Sequence, residues 1–325
     1  MDAFIKKWIG RLTSVFDADL KNIRQVIDQE ISSGGAFEKL VFPIAELNDL
    51  HVIQFFKHYP EHGMVSGLGA DKDLQMAYLK AIVEFFERLS FHKHERDEGI
   101  YSTNGIAAHR IAGLAKKSAE EELLERDSFM RHWFTNTPFT QVELNEEAKK
   151  LDSVLKNHQL KIHLGKTTLG HKETYLCFLQ DLKTTGFALG LSSGRGSYDI
   201  EKSIQEALIN YFFGHQGVSA EKQIEIIKNE GVKSLMSHRA FWLYMNPMPE
   251  WLFAKSEVKM SPSQSNLKTR STFKQLESRP FEVWHCKNDG LLELYVGDVY
   301  KFFPSGLTEM GLNVVLGPTQ YHPIP

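Results

Sequence analysis

The sequence predicts a mixed α/β (α+β) fold made of repeated strand, Gly-rich turn and helix units. Three observations predict it. Short runs of β-branched and aromatic residues precede long apolar helical runs, turns of Gly, Ser and Asn join the two, and the pattern recurs three times without the regularity of a solenoid array. At 325 residues the chain can bury a large core.

In chain order, residues 13–32 read as a helix ending at the Gly34-Gly35 breaker. His51-Val-Ile-Gln-Phe-Phe-Lys57 alternates as a strand does. Met64-Val-Ser-Gly-Leu-Gly69 then leads into a helix over 71–92, and Thr103-Asn-Gly-Ile-Ala-Ala108 into a helix over 113–133. The third unit runs from Phe187-Ala-Leu-Gly-Leu-Ser-Ser-Gly-Arg-Gly196 into a helix over 199–213. Between the second and third units lie a polar helix near 146–157 and strands near 160–164 and 174–180. Helices near 220–229 and 238–244 follow. Residues 254–277, rich in Ser, Lys and Gln, read as a mobile surface segment. Strands at 281–286 and 291–296 flank Lys287-Asn-Asp-Gly290, a hairpin signal. No linker marks a boundary, so residues 1–40 are read as an N-terminal helical segment and 41–325 as one intertwined domain.

Composition narrows the function. With 38 basic against 41 acidic residues, nothing points to a nucleic-acid surface. Two cysteines, Cys177 and Cys286, make neither a disulfide framework nor a zinc site. No apolar run reaches the ~18 residues of a membrane span, and acids and lysines interrupt any signal-peptide core near the N-terminus. The expectation is a cytoplasmic protein.

The informative feature is a signature written twice, Glu84-Phe85-Phe86-Glu87-Arg88 and Glu122-Leu123-Leu124-Glu125-Arg126. Each puts two carboxylates on one helix face, a turn apart, in apolar surroundings. Glu84 with Arg88 and Glu122 with Arg126 are also favourable i,i+4 pairs, worth only ~0.2–0.5 kcal/mol on an exposed helix. The repetition after similar turns favours a shared site over two surface salt bridges. Converging carboxylates repel, by about 4 kcal/mol per pair ~4 Å apart at an effective dielectric near 20. Divalent cations remove that repulsion, and all-oxygen ligation suits Mg²⁺ or Ca²⁺. Magnesium prefers a few carboxylates plus waters and phosphates, so acid-bearing helices beside Gly-rich turns suggest a nucleotide–metal site. Ser192-Ser-Gly-Arg-Gly-Ser197 could cradle phosphate at a helix start or be a plain turn. Neither a P-loop nor a Rossmann fingerprint is present. Glu120, Glu121 and Asp127 read as solvent-facing charge.

These motifs, in this order, resemble those of the YcaO family of ATP-dependent enzymes that modify peptide backbones. The resemblance spans about residue 40 to Pro325. It rests on residues 80–88 for S-x-x-x-E-x-x-E-R, on Thr103-Asn-Gly-Ile-Ala-Ala108 with Glu122 to Asp127 for the second motif, on Lys202 with Glu206, and on the Pro-rich end Tyr321-His-Pro-Ile-Pro325. It implies a YcaO-like fold around a central Mg-ATP site with Glu84, Glu87, Glu122, Glu125 and Glu206 as metal ligands. It further implies ATP contacts from Lys202, Arg195, Lys80, Ser66 and Asn104, and a catalytic tail comprising His322 and the Pro325 carboxylate. The implied activity is O-phosphorylation of a backbone amide, most simply cyclodehydration of Cys, Ser or Thr in a ribosomally made precursor peptide to azolines. A separate leader-binding partner, of E1-like or clamp-domain type, is implied, in a homodimer or a larger complex of the microcin-synthetase kind. Thioamidation, amidine formation, a non-catalytic nucleotide-binding scaffold and a generic Mg-dependent kinase are the alternatives. The departures are Lys80 for the motif's Ser, Leu68 where a Lys often stands, Lys202 for Arg, and Tyr321 for a first Pro. All five acids are retained.

Overall fold

The computed structural model describes residues 19–94, 103–170, 172–194, 196, 198–213, 219–230, 240–254, 270–288 and 291. The chain divides into two compact units, residues 1–120 with 271–287 and residues 121–270 with 288–325. Each unit is discontinuous, and one boundary falls inside an unbroken helix, where no linker composition could announce it.

In the first unit, helix α1 (Asp19–Ser32) precedes an antiparallel sheet of β1 (Ala36–Leu40), β2 (His51–Tyr59) and β3 (Gly63–Asp71), in that order. Helix α2 (Leu74–His94) lies on β3. It starts later than the sequence suggests because the Asp73 carboxylate accepts from the N–H groups of Gln75 and Met76, an N-cap that leaves Asp71 in the strand. A second sheet pairs β4 (Ile106–His109) antiparallel with β11 (Glu282–Asn288), whose outer neighbour is β10 (Ser271–Glu277). The core gathers Ile53, Phe55, Ala81, Phe85, Phe86, Ile106, Phe281 and Val283. Helix α3 (Ala112–Thr135) begins in this unit and continues into the second.

In the second unit, β5 (Phe139–Gln141), α4 (Glu146–Asn157), β6 (Leu160–Lys166), β7 (Thr174–Asp181), β8 (Phe187–Ser193), α5 (Tyr198–Phe213), α6 (Ala220–Glu230) and β9 (Phe253–Ala254) follow. The strands form one sheet in the order β8-β7-β6-β5-β9, antiparallel except between β5 and β9. Helix α4 is capped by Asn145, whose side chain accepts from the Ala148 N–H. An aromatic core of Phe129, Trp133, Phe139, Phe178, Phe187 and Trp242 fills the unit. Cys177 is fully buried in β7, and burial pushes its thiol up, so it is an inert core residue.

Several expectations need correction. Residues 254–277 are not one featureless segment, since 271–277 form the strand β10. Only Leu276 of that strand is buried, so a polar sheet-edge strand carries no hydrophobic alternation to read. The helix expected over 238–244 is, among the described residues, a single wide turn at Phe241–Met245. Strands β1, β5 and β9 were not anticipated, the latter two being too short to show a period. Residues 292–296 of the strand expected at 291–296 lie outside the described residues. Among the described residues no helix is long and apolar enough to cross a membrane.

His132, wholly buried on α3, sets an acid limit on this fold. Nδ1 meets the Thr137 carbonyl at 2.9 Å, and Nε2 accepts from the N–H groups of Thr168 and Leu169, both at 2.9 Å. Nε2 must therefore stay unprotonated, and burial holds the ring neutral, down to about 4. A depressed histidine takes up its proton in the unfolded chain first. Stability is therefore full above about pH 6.5 and falls as pH drops towards about 4, with a slope approaching 1.4 kcal/mol per pH unit. Urea midpoints measured between pH 7 and 4 should decline accordingly; a flat profile would mean that the folded chain protonates His132 freely.

Candidate active site

In each unit, candidate carboxylates reach back from a helix to the backbone of a strand. In the first unit, Gly67 and Gly69 of β3 let α2 settle directly on the strand. A Cβ on Gly67 would stand 2.2 Å from the Ala81 carbonyl oxygen and 2.2 Å from the Phe85 nitrogen. At that approach the Glu84 carboxylate accepts from the Leu68 N–H at 3.0 Å. It also pairs with Arg88, so the i,i+4 bridge forms as well. Glu87 accepts from the Ala108 N–H at 2.7 Å, tying β4 to α2.

The second unit repeats the arrangement. A Cβ on Gly190 of β8 would stand 2.0 Å from the Ser203 carbonyl oxygen and 2.4 Å from the Ala207 nitrogen of α5. The Glu206 carboxylate accepts from the Leu191 N–H at 3.0 Å. Thus Gly67, Leu68, Lys80 and Glu84 correspond position by position to Gly190, Leu191, Lys202 and Glu206. Leu68 contributes its backbone N–H to this contact, which any residue except proline supplies, so the missing lysine leaves it intact.

Glu122 and Glu125 of α3 join Glu206 around the Arg126 guanidinium, at 3.9, 3.8 and 3.7 Å respectively. Those separations exceed a hydrogen bond, and the buried Nε and Nη1 of Arg126 have no hydrogen-bond partner among the described residues. Three carboxylates face one guanidinium, an excess of two negative charges. Burial pushes the Glu206 carboxyl above its ordinary range, Arg126 opposes the shift, and Glu125 adds to it. Arg126 is held charged because Glu206, Glu125 and Glu122 outweigh the effect of its burial. All five glutamates are half-buried rather than buried, with Glu122 and Glu206 side chains 33% and 29% exposed. A ligand from solvent can therefore reach them.

The other sequence candidates fare differently. Lys80 is engaged by Asp71 at 2.6 Å and the Ala70 carbonyl at 3.0 Å. Ser66 is half-buried in β3, and Asn104 is buried in the turn before β4. Arg195, His322 and Pro325 lie outside the described residues. Asp127 is corrected: it is fully buried and paired with Arg131 at 2.7 Å. Two residues beyond Glu125 on a helix is ~200° around it, so the same turn points one acid to the site and the next into the core. Glu120 accepts from the Ser271 hydroxyl, and Glu121 lies 3.7 Å from the Lys172 ammonium, so neither is idle surface charge.

Among the described residues no group of three or more His, Cys, Asp or Glu side chains is gathered tightly enough to hold a metal as it stands. The donor set nevertheless fits magnesium. Glu125 and Glu206 each have one oxygen pinned, by the Ser193 hydroxyl and the Leu191 N–H, and the other turned to a loosely held arginine. Oxygen ligands on rigid supports with excess negative charge are what a hard divalent cation selects.

No protein-family model matches the sequence, and comparison with curated proteins found no match. Solved structures do match. A YcaO protein from Methanopyrus kandleri, bound with AMPPCP and Mg²⁺, is similar over 85% of this chain and 91% of its own, with a TM-score of 0.54 and 14% identity. A heterocyclase in complex with substrate and cofactor is similar over 93% of this chain, with a TM-score of 0.55 and 12% identity. This chain spans 56% of that one. The E. coli microcin synthetase McbBCD complex matches more loosely, with a TM-score of 0.45 and 13% identity, over 78% of this chain and 86% of that one. With helices laid on glycine-bearing strands in each unit, the chain has the fold of the YcaO proteins.

Proposed function

We propose that the chain is an ATP- and Mg-dependent enzyme that activates peptide backbone amides by O-phosphorylation, converting Cys, Ser or Thr of a ribosomally made precursor peptide to azolines with a separate leader-binding partner. The observation that carries this reading is the set Glu122, Glu125 and Glu206 around one guanidinium, with Glu125 held by the Ser193 hydroxyl and Glu206 by the Leu191 N–H. Glu84 and Glu87, the first copy of the same signature, are proposed as the remaining metal ligands, Lys202 as a phosphate contact and the Pro325 carboxylate as a reacting-site group. Bound magnesium would neutralise phosphate charge as phosphoryl transfer proceeds. The chain's residues would supply the oxygen ligands, with Glu84 tied to the backbone of β3 and Glu206 to that of β8.

The test is mass spectrometry of a precursor peptide incubated with this protein, its partner and Mg-ATP. Cyclodehydration removes ~18 Da per modified residue with release of phosphate, whereas sulfur-for-oxygen exchange adds ~16 Da. An unchanged peptide together with nucleotide binding but no turnover would favour the scaffold reading instead.

A further inference from the structure

The hairpin loop between β6 and β7 carries a lysine whose ammonium has no hydrogen-bond partner among the described residues. The loop is clamped to α3 at three points. His132 accepts from Thr168 and Leu169, the Ser128 hydroxyl accepts from the Lys172 N–H at 3.2 Å, and Gly170, at φ +90°, packs against Ser128 where a Cβ would come within 2.7 Å of its Cα. Within the loop, the Thr167 hydroxyl donates to the Lys172 carbonyl at 3.1 Å. The backbone under Lys172 is therefore fixed.

From this support the side chain runs inward and is 16% exposed. Its Nζ is buried and, among the described residues, has no hydrogen bond, only a long ion pair to Glu121 at 3.7 Å. It lies 3.1 Å from where a Cβ of Gly194 would stand. Gly194 follows Ser193, the residue whose hydroxyl donates to Glu125 at 2.8 Å, and begins the turn into α5. A buried ammonium needs charge-assisted hydrogen bonds, and one left without them beside a glycine turn points to an anion that arrives from solution.

We propose that Lys172 is a phosphate-binding residue of the nucleotide site, presenting its ammonium at the Ser193–Gly194 turn to a phosphate oxygen of ATP. The proposal rests on the nucleotide reading above and adds a residue from outside the repeated motifs. Rigid support by His132 and Ser128 lets the lysine meet phosphate with little entropy lost.

Calorimetry of the full chain with Mg-ATP tests it. Lys172→Met should weaken Mg-ATP binding by about ten- to a hundredfold and leave adenosine competition unchanged. Parental Mg-ATP affinity in Lys172→Met, or an equal loss for adenosine, would overturn the proposal while the nucleotide reading stands. A parent chain that binds no Mg-ATP would sink both.

Discussion

If the chain turns over Mg-ATP as proposed, Glu206→Gln should leave it folded and reduce that turnover by at least about a hundredfold, the scale expected when one preorganised charged group is lost from a phosphoryl-transfer site. The substitution is nearly isosteric, and its amide oxygen can still accept from the Leu191 N–H that holds Glu206 at 3.0 Å. What disappears is one of three negative charges around Arg126. Burial already disfavours that charge in the empty site, and Glu125 adds to the penalty, so its removal should leave the urea midpoint unchanged or raised. A loss of turnover without a loss of stability separates a ligand from a structural acid. Glu146→Gln, on the solvent-facing pair with Lys149, serves as the control and should change neither quantity. Parental phosphate release from Glu206→Gln at saturating Mg-ATP would remove Glu206 from the metal site.

The two E-x-x-E-R copies stood out because their acids share helix faces, which can be read from spacing, whereas Lys202 and Glu206 were singled out only by the resemblance. Strands β2, β7 and β8 were legible because they are buried and apolar enough to show a pattern. What spacing cannot give is which atom each carboxylate meets. The tie from Glu84 to Leu68 spans 16 residues and the tie from Glu206 to Leu191 spans 15, and both require glycines whose role is to be absent from the helix path. Lys172 was illegible for a related reason. Its position is set by Ser128 and His132 on α3, 44 residues from Lys172 and 36 from Thr168. No local motif in Thr167-Thr-Leu-Gly-His-Lys-Glu173 reports that anchoring. Asp127 shows the converse error, since a run of acids along a helix reads as surface although the helix turns one member into an ion pair with Arg131.

Gly190→Ala should leave little or no folded protein, a larger effect than any single side-chain contact in the second unit would give. The added methyl would stand 2.0 Å from the Ser203 carbonyl oxygen, 2.4 Å from the Ala207 nitrogen and 3.0 Å from the Glu206 Cβ. Two of those neighbours are backbone atoms of α5, so no rotamer change relieves the clash and the whole helix must lift from β8. Overpacking in a core usually costs about 1–3 kcal/mol where side chains can yield, and more is expected where they cannot. Gly113→Ala, at a helical glycine with nothing within 4 Å of the new methyl, is the matched control and should be neutral or slightly stabilising. Soluble yield and urea midpoints of the two variants make the comparison; a Gly190→Ala protein as stable as the parent would show that α5 does not sit directly on β8. Any fraction that does fold is informative about function as well. Lifting α5 stretches the Leu191–Glu206 hydrogen bond and moves the carboxylate away from Glu125 and Arg126, so that fraction should bind Mg-ATP poorly even though every charged residue of the site is still present.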